Sequence, residues 1–390
     1  MQHLSSSEPL HLYVHIPFCI HKCHYCDFNS HEQKAPDWQA YGKSLIAELR
    51  NWAHAPQFQG RSMNSIFFGG GTPSLAPPSL IGAIINGTNE NFGLDVDAEI
   101  TLEANPGTVD SNHFLGYRKA GVNRLSIGVQ SLQNNELRWL ERIHDSEQAL
   151  NAFKIARATG FDNINLDLMY GLPEQLLPTW LQTLDQAMAL KPEHLSCYQL
   201  TVEPHTRLAA HHAKKPYPLP DEELALSFFT ETRRHLLDRG YHAYEVSNFS
   251  QPGKQCRHND GYWLYHDYVG IGAGAAGKWN TTDGGIIRYG NIRTPERYMA
   301  AANSEGKALN SQEALNMHDA AAESVWLGLR RSEGIDRQAY QRRFSEDVWR
   351  RFTEQLEPYL KQGQLYVDDH TIRISEKGLP LTDAIAAGVL

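Results

Sequence analysis

An α/β fold, a partial TIM-like barrel of six strand–helix units continued by a mainly helical carboxyl-terminal region, is predicted by three observations. Short β-rich runs alternate with helical stretches over the first 200 residues, the pattern of parallel strands joined by crossover helices. Each run is followed at once by small or polar residues of the kind that work in loops. Beyond Thr201 the alternation stops and helical stretches dominate. Six units fit this span, fewer than the eight of a complete barrel. At 390 residues the chain exceeds the size at which one hydrophobic core keeps growing, so a second domain is expected.

The six strands are expected at 12–16, 65–68, 99–104, 124–128, 163–169 and 194–199, and in such a fold the loops at their carboxyl ends form the working face. After the first come Cys19, Cys23 and Cys26, spaced C-x₃-C-x₂-C. Thiolates at that spacing can converge on one iron–sulfur cluster; since clusters usually take four thiolates, one iron is left open to a small-molecule ligand. Holding a cysteine as thiolate at pH 7 costs about 2 kcal/mol, and three cost about 6 kcal/mol, which only a metal or cluster offsets. The segment is therefore expected to order fully on loading. A zinc site completed by His21, His24 or His31 is the alternative. Disulfides fit poorly with five cysteines, an odd number, and with the lack of an apolar export signal, so a reducing, cytoplasmic compartment is expected.

The second strand leads into Gly69-Gly70-Gly71-Thr72-Pro73, where consecutive glycines let the backbone approach a ligand closely, although a plain turn reads the same way. The third ends at Glu103, the fourth runs into Gln130, and the fifth contains Asp167. Taken singly, Glu103 and Asp167 read as capping or ion-paired residues, and Arg142 as a solvated helix arginine.

Past the barrel, a helix over 221–239 leads to Cys256-Arg257-His258-Asn259-Asp260-Gly261-Tyr262-Trp263 and then to a glycine-rich loop over 270–277. A histidine beside two aromatics could offer one neutral nitrogen to haem iron, or sit buried and satisfied in the core. Helices are expected over 311–331, 336–344 and 346–361, followed by a small hairpin within 364–374 and a last helix, a winged-helix-like order. The expected division is thus a barrel over 1–240, a connecting segment over 241–300 and a carboxyl-terminal domain over 301–390. The net charge of -9 and the lack of a basic run weigh against nucleic acid as a partner. With no apolar run of about 18 residues, nothing spans a membrane; a peripheral contact and oligomerisation stay open.

Taken together, the cysteine motif, Gly-Gly-Gly-Thr-Pro, Glu103, Gln130, Arg142 and Asp167, in that order, resemble the radical S-adenosylmethionine superfamily, and along nearly the whole chain its HemN/HemW group. The resemblance implies a [4Fe-4S] cluster on Cys19, Cys23 and Cys26 whose open iron is chelated by the amino and carboxylate groups of S-adenosylmethionine, from which a 5′-deoxyadenosyl radical is made. It implies that Tyr13 and Tyr25 flank the site and that Gly70, Gly71 and Thr72 line it. Glu103 would face the ammonium, Arg142 the carboxylate, and Gln130 and Asp167 the ribose hydroxyls.

The HemN oxidases carry a further cysteine where this chain has Phe28, and the segment from His258 to Trp263 matches the HemW pattern H-N-x-x-Y-W, with Tyr262 and Trp263 as ring neighbours of a haem ligated by His258. The resemblance therefore implies a haem chaperone serving haem-dependent respiratory proteins and fed by an electron donor. Relatives commonly place a histidine where this chain has Ala276. The competing readings are an oxygen-independent coproporphyrinogen III oxidase and, more remotely, a cluster-sensing winged-helix regulator.

Overall fold

A computed structural model describes residues 8–390, so the first seven residues of the expected barrel domain, and the expectation of no export signal there, fall outside the described part. The six expected strands are present as β1 (Leu10–Ile16), β2 (Met63–Gly70), β3 (Leu94–Ala104), β4 (Arg124–Gln130), β5 (Ile164–Tyr170) and β6 (His194–Gln199), each parallel to the next. Short strands β7 (His242–Ala243) and β8 (Asn248–Ser250) extend the β6 edge in antiparallel fashion.

At the other edge the fold departs from expectation. The glycine-rich segment is a loop only over 272–275, and its ends belong to strands: β9 (Asp267–Ile271) pairs in parallel with β1 as a seventh parallel strand, and β10 (Ala276–Asn280) folds back on it. Strands β11 (Ile286–Asn291) and β12 (Leu309–Leu315) complete one open sheet in the order β12-β11-β10-β9-β1-β2-β3-β4-β5-β6-β8-β7. The expected helix over 311–331 is corrected accordingly: its first turns are β12, zipped along β11, and the helix is Met317–Gly328.

Alternation along the strands sorts the two faces. On β1, Leu10, Leu12, Val14 and Ile16 are fully buried among the apolar residues beneath the outer helices, each contributing about 2 kcal/mol of burial. The intervening His11, Tyr13 and His15 belong to the opposite, inner face. The same inner rows carry Ser65 on β2, Glu99, Thr101 and Glu103 on β3, Arg124 and Ser126 on β4, Asn165 and Asp167 on β5, and His194 and Ser196 on β6. A barrel built only for packing would fill this space with branched apolar side chains. Here it is polar and must be hydrogen-bonded: Asn165 donates to Ser126 (2.7 Å) and Asp167 (2.8 Å) and accepts from Ser196 (3.1 Å).

A second core, including Ala320, Val325, Phe344, Val348, Leu356, Ile372 and Ile385, gathers the carboxyl-terminal helices and a three-stranded sheet of β13 (Ile335–Asp336), β14 (Leu365–Val367) and β15 (Thr371–Ile374). Helices Arg337–Phe344 and Val348–Lys361 stand where expected, and the short sheet supplies the wing. No described helix is long and apolar enough to cross a membrane.

Candidate cluster and nucleotide site

Between β1 and the helix Trp38–Ala53 the chain leaves the barrel as a loop, stapled by a two-stranded parallel ribbon of Phe18–Cys19 with His31–Glu32. The three expected ligand thiols lie on this loop, all unbonded to one another, and all three line a cavity of about 370 Å³ at the carboxyl ends of the strands. Thr72 donates a hydrogen bond to Cys19 Sγ (3.4 Å), Arg142 donates to Cys23 Sγ (3.7 Å), and Ser30 Oγ lies 4.0 Å from Cys26 Sγ. Burial pushes the Cys19 and Cys26 thiols up, so they ionise at neutral pH only when a metal takes the thiolate. Among the described residues no three His, Cys, Asp or Glu side chains converge closely enough to hold a single ion.

The glycines after β2 let the cysteine loop pack closely on the strand end. Gly70, at φ +119°, adopts a conformation L side chains avoid, and a Cβ there would strike the His15 ring at 2.7 Å. At Gly71 a Cβ would sit 2.8 Å from Phe18 O and 3.0 Å from Cys19 Sγ, so the cysteine loop is seated directly on this glycine.

Around the same cavity stand Tyr25, Gly70, Gly71, Thr72, Glu103, Gln130, Arg142 and Asp167, every one of them expected there from the sequence. Arg142 is not a solvated helix arginine. It follows the helix Asn134–Trp139 and a left-handed Glu141, donates to Gly128 O (2.9 Å), and keeps its Nε buried and without a partner. An orphaned guanidinium donor beside the Cys23 thiol is what a ligand carboxylate would satisfy. Gln130 is held at φ 67°, uncommon for a non-glycine residue and of order 1–3 kcal/mol in cost, the kind of strain found at working sites. Asp167 accepts from Ser126 (3.0 Å) and Asn165 (2.8 Å), and burial raises its carboxyl.

Glu103 faces both this cavity and a second one. Burial, reinforced by the neighbouring Asp167, pushes its carboxyl up to about 8, against the bond it accepts from Gly70 N–H (3.2 Å). An acid whose folded pKa exceeds its unfolded 4.5 binds its proton more tightly in the folded state, so it lowers stability as pH rises from 4.5 to 8. An ammonium placed beside it would reverse the sign of that interaction. Glu103→Gln is therefore expected to flatten the fall of Tm between pH 5 and 8 relative to wild type, while weakening binding of an amino-acid-bearing ligand about tenfold at pH 8. Thermal unfolding and calorimetric titration across that range check both signs.

The remaining expected residues are not all brought to this cavity. Tyr13 and Tyr262 line the second cavity, about 380 Å³, with His15, Tyr268 and Ala276, and it shares Phe28, Gly70 and Glu103 with the first. His258, on the short helix Arg257–Trp263, is 1% exposed and lines neither. Its Nδ1 is hydrogen-bonded to Ser65 Oγ (2.7 Å) and its Nε2 to the Tyr262 hydroxyl (2.9 Å), its ring stacks on Phe67, and burial holds it neutral. Trp263 turns elsewhere, under the Arg330 guanidinium at 5.1 Å. Sequence reasoning missed Asn105, Ser126, Met169 and Tyr198 on the first cavity. Three of these belong to inner rows, and the rule that carboxyl ends of strands carry the site would have reached them.

Comparison with known proteins agrees with this geometry. The radical SAM superfamily matches residues 13–187 and the HemN C-terminal domain residues 315–381. The chain is 41% identical to "Heme chaperone HemW" of Escherichia coli, over 95% of each chain. It is 36% identical to the mouse mitochondrial "Radical S-adenosyl methionine domain-containing protein 1", over 99% of this chain and 88% of that one. Among solved structures, coproporphyrinogen III oxidase (HemN) from Escherichia coli, described as a radical SAM enzyme, superposes with a TM-score of 0.84 at 27% identity, covering 99% of this chain and 91% of that one.

Proposed function

The chain belongs to the HemW family of radical S-adenosylmethionine proteins, and from that premise we propose that it is a haem chaperone, binding haem and passing it to haem-dependent respiratory proteins. The observation that carries this reading is identity of 33–42% to several HemW proteins over most of the chain. Cys19, Cys23 and Cys26 would hold a [4Fe-4S] cluster, Arg142 and Glu103 the carboxylate and ammonium of S-adenosylmethionine, and Gln130 and Asp167 its ribose. Bound together, these groups supply one-electron cleavage of a carbon–sulfur bond. The chain's own part is to orient: the Arg142 guanidinium and the Glu103 carboxyl, which loses its proton more readily beside an ammonium, would take opposite ends of a zwitterion and fix the direction in which it lies.

We infer that haem would bind at the second cavity, whose lining includes Tyr13, Tyr262, Tyr268 and the exposed Phe28. His258 does not line that cavity, but Tyr262, which caps its Nε2 (2.9 Å), does, so displacement of the tyrosine would be the route by which the imidazole meets an iron there. That capping supports a loading step in which haem replaces a tyrosine hydroxyl as the partner of the imidazole. A haem titration followed by the Soret band tests it: Tyr262→Phe, which removes the cap, is expected to keep the wild-type band and bind at least as tightly, and His258→Ala to shift the band and bind about tenfold more weakly. Identical bands and affinities in wild type and His258→Ala would remove His258 from the site.

Likeness to HemN favours a second reading, oxidative decarboxylation of coproporphyrinogen III. An anaerobic assay separates the two, since protoporphyrinogen formation belongs to the oxidase, and 5′-deoxyadenosine without porphyrin conversion to the chaperone. We place the protein in the reducing cytoplasm, in keeping with five unpaired cysteines. We also set the division of the chain near residue 316, because β12 belongs to the large sheet and the second core, apart from Tyr265 and Ile286, is drawn from Ala320 onward.

A further inference from the structure

Behind Tyr262 a chain of hydrogen bonds leads away from the second cavity. His11 on β1 and Ser65 on β2 stand side by side in register, near the amino-terminal ends of their strands. Ser65 Oγ lies 2.7 Å from His258 Nδ1 and 2.8 Å from His11 Nδ1, and His11 Nε2 lies 3.2 Å from Nδ1 of His266, the residue before β9. At the cavity end, His258 Nε2 meets the Tyr262 hydroxyl at 2.9 Å. The path thus runs from a tyrosine in the cavity wall through two buried histidines and a buried serine to the half-buried ring of His266.

Its surroundings hold this path in place. Glu99 on β3 accepts from the backbone N–H groups of Arg257 (3.1 Å) and His258 (3.2 Å), which fixes the start of the short helix. Gly261 on that helix lies against His11: a Cβ there would come within 2.5 Å of His11 Nε2, so the glycine leaves the ring its room, and Gly261 O accepts from His266 N–H (2.9 Å). The donors along the path are not independent. Burial keeps His11, His258 and His266 neutral, and a neutral imidazole has one N–H and one bare nitrogen, while Ser65 has a single proton to give. Fixing one donor therefore fixes the rest. Among the described residues the Tyr262 hydroxyl has His258 Nε2 as its hydrogen-bond partner and no other, so it donates there, since the reverse order would leave the phenol proton unpaired. His258 Nδ1–H then donates to Ser65 Oγ, Ser65 donates to His11 Nδ1, and His11 Nε2–H donates to His266 Nδ1.

We propose that Ser65, His11 and His266 are positioning residues that hold His258 in the tautomer with Nε2 bare, the form that can ligate haem iron once Tyr262 moves. The inference rests on the role proposed above for His258. Partners on the far nitrogen of a ligating histidine fix its tautomer and orientation. Without the Ser65 hydroxyl, the imidazole loses that partner and is free to donate from Nε2 to the Tyr262 oxygen, which closes the nitrogen to a metal.

Nitrogen NMR of the haem-free protein carrying ring-15N histidine, with His258 assigned through His258→Ala, reads the tautomer. In wild type, His258 is expected to carry its proton on Nδ1. Ser65→Ala is expected to move that proton to Nε2 and, in a haem titration, to weaken binding about tenfold. Ser65→Thr, which keeps the hydroxyl, should keep the wild-type tautomer and affinity. A wild-type His258 protonated on Nε2, or the same tautomer in wild type and Ser65→Ala, would overturn the proposal, and the wild-type spectrum decides even where a variant does not fold. The tautomer is read without haem, so it stands or falls apart from the ligand assignment, which the Soret band of His258→Ala tests.

Discussion

Replacing any one of Cys19, Cys23 or Cys26 by alanine is expected to lower the iron and sulfide retained after anaerobic reconstitution roughly tenfold or more, with loss of the broad visible absorbance of the cluster. The reason is the arrangement of the three thiols. Each approaches the cavity from a different point of an irregular loop, each has its own polar neighbour in Thr72, Arg142 or Ser30, and no fourth cysteine stands near to substitute. Cys197 and Cys256 are buried elsewhere, the first on β6 and the second donating to Glu99 Oε1 (3.3 Å). Cys197→Ala should therefore keep full cluster content and lose only about 1 kcal/mol of packing. Iron analysis of the four variants side by side checks the pattern, and retention of iron by all three motif variants would refute it.

Gly71→Ala is expected to be nearly as damaging, although alanine brings only one carbon. That carbon would lie 2.8 Å from Phe18 O, 2.9 Å from Pro17 C and 3.0 Å from Cys19 Sγ, and two of these three are backbone atoms with no rotamer by which to yield. The loop must shift as a body, at a cost of about 1–3 kcal/mol, and Cys19 shifts with it. Cluster content should fall severalfold, and Tm of the unloaded protein should drop. Gly82→Ala provides the contrast. It lies inside the helix Pro78–Asn91, where the added carbon meets Ala120 Cβ at an ordinary 3.5 Å, so it should raise stability by about 0.5–1 kcal/mol through helix propensity and leave the cluster untouched. Paired thermal unfolding and iron analysis of the two variants distinguish them.

Much of the site was legible because the strands that carry it are short, apolar on one face and followed by loop residues. The end of β6 was placed to the residue and β4 began where expected. The strands that were missed share a physical reason. Asp267–Ile271 is too short and glycine-interrupted to alternate visibly, and its identity as a strand comes from pairing with β1, more than 250 positions away in the chain. Leu309–Leu315 reads as a helix by composition, with Gln, Glu, Ala and Leu, yet it lies at a solvent-exposed edge where β11 supplies the hydrogen bonds that decide its conformation.

The site was legible where residues stand close in the sequence, as with the three cysteines, whereas Glu103 and Asp167 read singly as capping or ion-paired residues and come to one cavity only through the fold. The rest was hidden where a partner far along the chain sets the behaviour. Nothing near His258 reveals that Ser65 takes one of its nitrogens, and nothing near Arg142 reveals that its guanidinium turns inward to Gly128 and Cys23.

We propose that three thiolates on the first strand's loop hold a four-iron cluster with one iron free for S-adenosylmethionine. Paramagnetic resonance of the anaerobically reconstituted, reduced protein, recorded with and without that nucleotide, tests it most directly. A reduced [4Fe-4S] signal that changes in g values and line shape when the nucleotide is added is predicted. Tightly bound zinc in place of iron, or a reduced iron signal indifferent to the nucleotide, would contradict it.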